Sequence, residues 1–275
     1  MDSSKFIFSH KEEVCMGLKE FNKSLGKKLT RNKEIVVDPT KKVERISSGC
    51  MVLDMITGGG FPRGGLVEIF GLEHSGKTSL AFSTMARIQR LGGVCLMFDA
   101  EHAYNHVYAE DVFGLKIDNE TFTLLDPNNA EEMGVVLDML LEGKLLEKLD
   151  LLVIDSVGAL KTKSQIESTL DANAVVGAHA RLMGRIVPKL ELIAKMYGCV
   201  VLLINQMRST IQTGFTSGPG IAAGVLQDSN YTTTGGKALP YAAKMRVQVS
   251  HATKLVDEAG RNLMDEDRKG HGVKV

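Results

Sequence analysis

The residues with the clearest chemical spacing are Gly71-Leu72-Glu73-His74-Ser75-Gly76-Lys77-Thr78, which match G-x-x-x-x-G-K-[ST]. Glycines in such a run let the backbone wrap phosphate oxygens with its N–H groups turned inward. The lysine then reaches the β- and γ-phosphates, and the Thr78 hydroxyl can hold Mg²⁺. Leu151-Leu152-Val153-Ile154-Asp155-Ser156 supplies a natural complement. An Asp at the tip of a wholly apolar strand can reach Mg²⁺, usually through a water. Glu101 lies two residues beyond Asp99, the end of another apolar run. A carboxylate there could orient or deprotonate an attacking water. Asn205 and Gln206 directly follow a further apolar run. An uncharged amide beside a γ-phosphate can report its presence and drive order or disorder in the loop that follows. Each reading has a plain alternative: a Gly-rich turn, a capping Asp at a strand end, or an ordinary exposed loop carboxylate.

These residues need a frame that brings strand ends together. Leu66 to Phe70 reads as a short buried strand before the Gly-rich run, and Thr78 to about Leu91 as an amphipathic helix after it. The positive end of that helix faces the same anion. Val94 to Phe98, Phe122 to Leu125, Leu151 to Ile154, Val200 to Ile204 and Met245 to Val249 are further strands. Helical patterns span about Ala130 to Leu146 and about Val175 to Met196, with Pro188 as an expected kink. Apolar strands separated by helices predict an α/β fold with a mostly parallel sheet covered on both faces. In such sheets ligands bind beyond the carboxyl ends of the strands, where the polar residues above fall.

Composition narrows the class. The chain has 275 residues, 44% hydrophobic and 24% charged, with 28 Gly and 6 Pro. Those are globular values, against collagen-like, disordered or coiled-coil chains. The longest apolar run, Cys199 to Ile204, is far short of the ~20 residues of a membrane helix. The N-terminus carries no signal-peptide pattern. Cys15, Cys50, Cys95 and Cys199 form no C-x-x-C pair, so structural zinc and a disulfide framework are not expected and a cytoplasmic setting fits. Formal net charge is zero, but residues 97–155 carry fourteen acidic against three basic residues. Residues 177–254 carry nine basic against two acidic ones. The basic stretch is either a solvated face or a polyanion-binding surface. Residues 1–45 are Lys-rich, with Val14, Leu18, Phe21 and Leu25 on one helical stripe that needs something to pack on.

Together these segments resemble the RecA family of recombinases. The matching pieces are Gly71–Thr78, Asp99-Ala100-Glu101-His102-Ala103, Leu152–Ser156, Ile204-Asn205-Gln206-Met207-Arg208 and Thr232-Thr233-Thr234-Gly235-Gly236-Lys237-Ala238-Leu239. The run Val43–Asp54 with Gly58–Gly65 looks like the family's lead-in to the phosphate loop, and the likeness covers roughly residues 10–275. The resemblance implies a RecA-like P-loop NTPase fold over 46–275: a mostly parallel, twisted central sheet flanked by helices. The segment 1–45 would be an oligomerisation helix and linker that docks on the next subunit. ATP and Mg²⁺ would be held by Gly71 to Thr78, Ser79, Tyr108 and Asp155, with Thr78 and Asp155 at the metal. Glu101 would activate water, Lys77 would act with it, and Gln206 would sense the γ-phosphate. Tyr108 would stack on adenine; a core tyrosine is the alternative.

The resemblance further implies two DNA loops, at about 167–177 and 207–235. Arg181, Arg208, Thr232, Gly235, Gly236 and Lys237 would serve DNA, with solvated surface charge as the alternative for each basic residue. The implied activity is ATP-dependent, with a helical homo-oligomer on single-stranded DNA pairing it with duplex DNA and no membrane partner. Another RecA-like ATPase, of repair or clock type, and a truncated paralogue regulating a full-length filament are the alternatives. The chain departs from the family pattern in a long second loop with Phe215, Pro219 and Ile221, and in Pro188 and Pro240. It ends at Gly272-Val273-Lys274-Val275, so the family's later interface lysines and C-terminal domain are expected to be missing.

Overall fold

In the computed structural model, residues 42–143, 146–167, 177–209, 231–251 and 273–274 are described. The first expected domain therefore lies almost wholly outside the described residues, as does the centre of each expected DNA loop. In chain order the elements begin with β1 (Arg45–Ile46), α1 (Met51–Thr57), β2 (Phe61–Pro62), β3 (Gly65–Gly71) and α2 (Lys77–Arg90). Next come β4 (Cys95–Asp99), α3 (His106–Phe113), β5 (Phe122–Leu125), α4 (Ala130–Glu142) and β6 (Leu151–Asp155). A single 3₁₀ turn, Val157–Ala159, precedes α5 (Lys163–Glu167), α6 (Ala178–Tyr197) and β7 (Val200–Ser209). The described chain closes with β8 (Tyr231–Thr233), α7 (Ala238–Ala242), β9 (Ala243–His251) and β10 (Val273–Lys274).

Six strands run parallel in the order β9-β3-β7-β6-β4-β5. β10 adds antiparallel to β9 at one edge, and β8 pairs antiparallel with the far end of β7. The inner strands are apolar over most of their length because both faces are covered, with Glu68 of β3 and the polar residues at the ends of β4, β6 and β7 as the exceptions. Alternate residues leave opposite faces. Val67, Ile69, Met97, Val153, Leu202 and Ile204 join Phe82 and Met85 of α2 in one core. Leu66, Phe98, Leu152, Ile154, Val201 and Leu203 join Met133 and Leu137 of α4 and Met183 and Leu190 of α6 in the other. Each such buried side chain contributes about 1.5–3 kcal/mol, so the sheet rigidly sets where its strand ends point.

Three elements differ from the sequence reading. α4 stops at Glu142 rather than Leu146, because Gly143 takes the left-handed conformation (φ 67°) and caps it. α6 starts at Ala178 and continues through Pro188 to Tyr197 as one 20-residue helix, where an interruption was expected. Pro188 lacks the N–H that would bond to the Gly184 carbonyl, but Gly184, Arg185 and Pro188 all lie on the exposed side, where water can take that role. β7 extends past Ile204 to Ser209 because Met207, Arg208 and Ser209 pair with Thr233, Thr232 and Tyr231. The carboxyl ends of β3, β4, β6 and β7 thus meet at one edge of the sheet.

Candidate nucleotide site

Gly71 ends β3 under close constraint: a Cβ there would sit 2.1 Å from the Val249 carbonyl oxygen of β9. The loop then turns through left-handed residues at His74 (φ 57°) and Gly76 (φ 95°) and delivers Lys77 and Thr78 to the first turn of α2. Ser75 is fully buried, and its Oγ has no hydrogen-bond partner among the described residues. The Lys77 ammonium folds back 2.6 Å onto the loop's own Leu72 carbonyl. Those two features fit an anion seat: an orphaned donor and a cation resting on a weak acceptor.

Opposite the loop, Thr78 Oγ1 donates to Asp155 Oδ2 at 2.7 Å. Asp155 ends β6 in register with Asp99 of β4. Its backbone carbonyl accepts from Ala100 N–H at 2.7 Å and Glu101 N–H at 3.2 Å, which swings Glu101 over the site. Asp99 accepts from the N–H groups of Ala103 (3.2 Å) and Tyr104 (2.7 Å) and so shapes the turn that carries Glu101. Glu101 Oε1 accepts from Ser156 Oγ and from Gln206 Nε2, the latter at 3.0 Å. The Asp155–Ser156 peptide bond is cis.

The electrostatics follow from burial. Desolvation holds the Lys77 ammonium below the usual lysine range, partly offset by Asp155, Glu101 and Glu73. Asp155 is pushed up to about 6, first by burial; the Thr78 bond opposes this, Glu101 and Asp99 add to it, and Lys77 opposes it. Three carboxylates thus face one lysine. That excess of hard oxygen donors suits a divalent cation bound together with phosphate, with Thr78 and Asp155 as its holders.

The cavity they line has a volume of about 560 Å³. It brings together Lys77, Thr78, Ser79, Glu101, Asp155 and Gln206. Tyr108, 42% exposed, is on its wall rather than in the core. The Tyr108 hydroxyl is 3.0 Å from Ser79 Oγ, and its ring meets Phe113 edge-on at 5.5 Å. Asn105 caps α3 through Tyr108 N–H at 3.0 Å, which fixes where that ring stands.

The residues assigned to DNA lie away from the cavity lining. Arg181 is exposed on the first turn of α6. Arg208 and Thr232 are partners in the β7–β8 pairing. Gly235 and Gly236 follow with positive φ, and exposed Lys237 opens α7. The sequence reading gives no role to Ser156 or Asp99, yet both fix Glu101 or its turn. Their polarity at the very ends of apolar strands was the available signal.

A strand–loop–helix phosphate cradle, an Asp-tipped neighbouring strand and a doubly covered parallel sheet define a P-loop nucleotide-binding protein. Comparison with known proteins narrows this. The RecA N-terminal domain family model matches residues 12–274. Protein RecA of Porphyromonas gingivalis is 35% identical over 96% of this chain and 70% of its own length. Protein RecA of Gloeobacter violaceus is 38% identical over 81% of this chain and 56% of its own length, and that of Nostoc punctiforme 36% over 91% and 65%. The chain belongs to the RecA recombinase family.

Proposed function

We propose that this chain is an ATP-hydrolysing DNA recombinase that assembles on single-stranded DNA and pairs it with homologous duplex. The observation that carries this reading is the meeting of Lys77, Thr78, Glu101, Asp155 and Gln206 on one cavity, with Gln206 on the strand that leads into the second loop. Family membership supports the same reading; among the described residues no helix is long and apolar enough to cross a membrane.

In this reading the backbone N–H groups from Glu73 to Thr78 and the Lys77 ammonium hold the β- and γ-phosphates of ATP. Thr78 and Asp155 hold Mg²⁺, which when bound neutralises charge on the phosphate oxygens. Tyr108 stacks on the base. Glu101 takes a proton from a water whose oxygen bonds to the γ-phosphorus, while the bond from that phosphorus to the β–γ bridging oxygen breaks, the oxygen and its electron pair leave with ADP, and inorganic phosphate results. Loss of the γ-phosphate removes the partner of Gln206, and the second loop relaxes its hold on DNA. DNA contacts from Arg181, Arg208, Thr232, Gly235, Gly236 and Lys237 fall on the backbone, so binding is salt-dependent and weakly sequence-selective. Subunits stack through residues 1–45 into a filament in the cytoplasm.

The test is ATP hydrolysis with and without single-stranded DNA across a salt series. Strong stimulation by DNA that fades with salt supports the recombinase. ATP hydrolysis indifferent to DNA at every salt concentration refutes it.

A further inference from the structure

Beneath Gln206 lies a buried polar cluster that the nucleotide chemistry does not use. Asn205 is fully buried on β7. Its Nδ2 donates to Glu68 Oε1 at 2.9 Å and to the Thr234 carbonyl at 2.8 Å. Its Oδ1 accepts the Gln206 backbone N–H at 2.9 Å. Glu68 on the central strand β3 is also fully buried, and its Oε2 takes the Arg246 Nε at 2.6 Å. The Arg246 guanidinium lies over the Phe70 ring, 4.6 Å from its centroid.

Those bonds allow one orientation of the amide. Turned over, Asn205 would set its oxygen against the Glu68 carboxylate and the Thr234 carbonyl. A carboxylate with no exposed surface is costly unless fully bonded, so its retention here has a structural consequence. It makes the Asn205–Glu68 bond charge-assisted and locks the amide in place.

Strand alternation gives the cluster its meaning. Asn205 pairs in register with Phe70 and shares a face with Glu68; Gln206, one residue on, projects from the other face into the nucleotide cavity beside Ile204. Two adjacent residues on one strand therefore touch two different places. Gln206 reaches Glu101. Asn205 holds Thr234, where the chain returns from the second loop.

We infer that Asn205, oriented by Glu68, is the positioning residue that couples Gln206 to the stem of the second loop. A shift of the Gln206 backbone breaks or strains the bond at Asn205 Oδ1, and the same rigid amide carries that shift to the Thr234 carbonyl. This rests on the recombinase reading above and deepens it: Gln206 supplies the nucleotide contact, and the Glu68–Asn205 pair supplies the lever. Both ends must move together, because the Asn205 amide cannot satisfy Glu68, Thr234 and Gln206 in any second arrangement.

The experiment compares the full chain with its Asn205→Ser and Glu68→Gln variants. Single-stranded DNA affinity is measured with a non-hydrolysable ATP analogue and with ADP, alongside binding of a fluorescent ATP analogue and thermal melting. The ratio of the two DNA affinities is the coupling. Expected is a fall of about tenfold in that ratio, with nucleotide binding within about threefold of wild type by the same measure of binding energy. If Asn205→Ser does not fold, Glu68→Gln carries the test, since Arg246 is partly exposed and can turn to water. A wild-type ratio kept by every folded variant overturns the inference. So does loss of nucleotide binding in step with the ratio, which would make the cluster purely structural. A wild-type protein whose DNA affinity ignores nucleotide overturns the recombinase reading instead, and the inference with it.

Discussion

A carboxylate that accepts two hydrogen bonds on one oxygen is held still while its other oxygen stays available for a proton. Glu101 has that arrangement: Ser156 and Gln206 both bond to Oε1, and among the described residues Oε2 accepts none. Geometry therefore favours it over Asp99, both of whose oxygens are committed to the N–H groups of Ala103 and Tyr104, while Asp155, bonded to Thr78, is the carboxylate that the proposed reading gives to Mg²⁺. Glu101→Gln keeps the shape and removes the base. ATP turnover is expected to fall by about 10²–10⁴, with affinity for a fluorescent ATP analogue little changed. Steady-state hydrolysis beside direct binding measures both, and turnover equal to wild type would move the base elsewhere. The catalytic candidates could be singled out in the sequence because each stands within three residues of the end of an apolar run or in a motif of fixed spacing. The role of Ser156 was not, because it depends on a partner 55 residues away. The Asn205–Glu68 bond, between residues 137 apart, was hidden for the same reason.

At the scale of elements, the site end of the sheet is polar and open, so the opposite end has to hold the strands in register. Asp150, just before β6, does this. Its carboxylate accepts from Arg63 Nη2 at 2.7 Å, from Val94 N–H at 3.1 Å, and faces Lys148 Nζ at 3.2 Å. Arg63 also bonds to the Gly198 carbonyl ahead of β7. Four strand starts are thereby tied to one acid. Burial alone would raise the Asp150 pKa, but the Arg63 bond, the Val94 N–H and Lys148 together hold it below its ordinary 3.8. A depressed carboxylate stabilises the fold above its unfolded pKa, and that contribution is lost as pH falls through the folded value. Asp150→Asn should thus cost about 3 kcal/mol at neutral pH, read by urea unfolding, and the gap from wild type should begin to narrow below about pH 4, the unfolded pKa, and close only once pH has fallen through the depressed folded value. A gap that stays constant to pH 3 would mean that charge is not what holds the strand starts. α6 offers the converse case. Periodicity found the helix, but not that it would run through Pro188, because the exposed face tolerates an unpaired carbonyl. Pro188→Ala restores the Gly184 bond and is expected to raise stability by about 1–2 kcal/mol, less than the full helix-interior penalty because proline also restricts the unfolded chain. No gain in the denaturation midpoint would mean that the Gly184 carbonyl loses nothing by facing water.

For the whole molecule, zero net charge conceals two opposed regions. The acidic stretch 97–155 includes Asp99, Glu101 and Asp155 of the candidate nucleotide site, and the basic stretch 177–254 includes α6, β7, β8, α7 and β9. In the proposed reading, the basic stretch is the part of the chain that draws a polyanion, and the acidic stretch repels it. The parallel sheet, both of its covered faces and the nucleotide end were all legible from apolar runs and the residues after them. The proposed DNA surface has no such signature, because contacts to a phosphate backbone need only basic or small residues, which leave no spacing pattern of their own. Lys237 makes the point testable. It is exposed at the start of α7, directly after Gly235 and Gly236, and no ion pair engages it among the described residues. A phosphate contact there releases a counterion, so Lys237→Ala should weaken single-stranded DNA binding alike on every sequence. It should also reduce the slope of log affinity against log salt by about 0.7. Fluorescence anisotropy with labelled oligonucleotides of different composition, titrated from low to high salt, reads both quantities. An unchanged slope would take Lys237 out of the DNA path, and a loss confined to one base composition would make it a reader of bases instead of backbone.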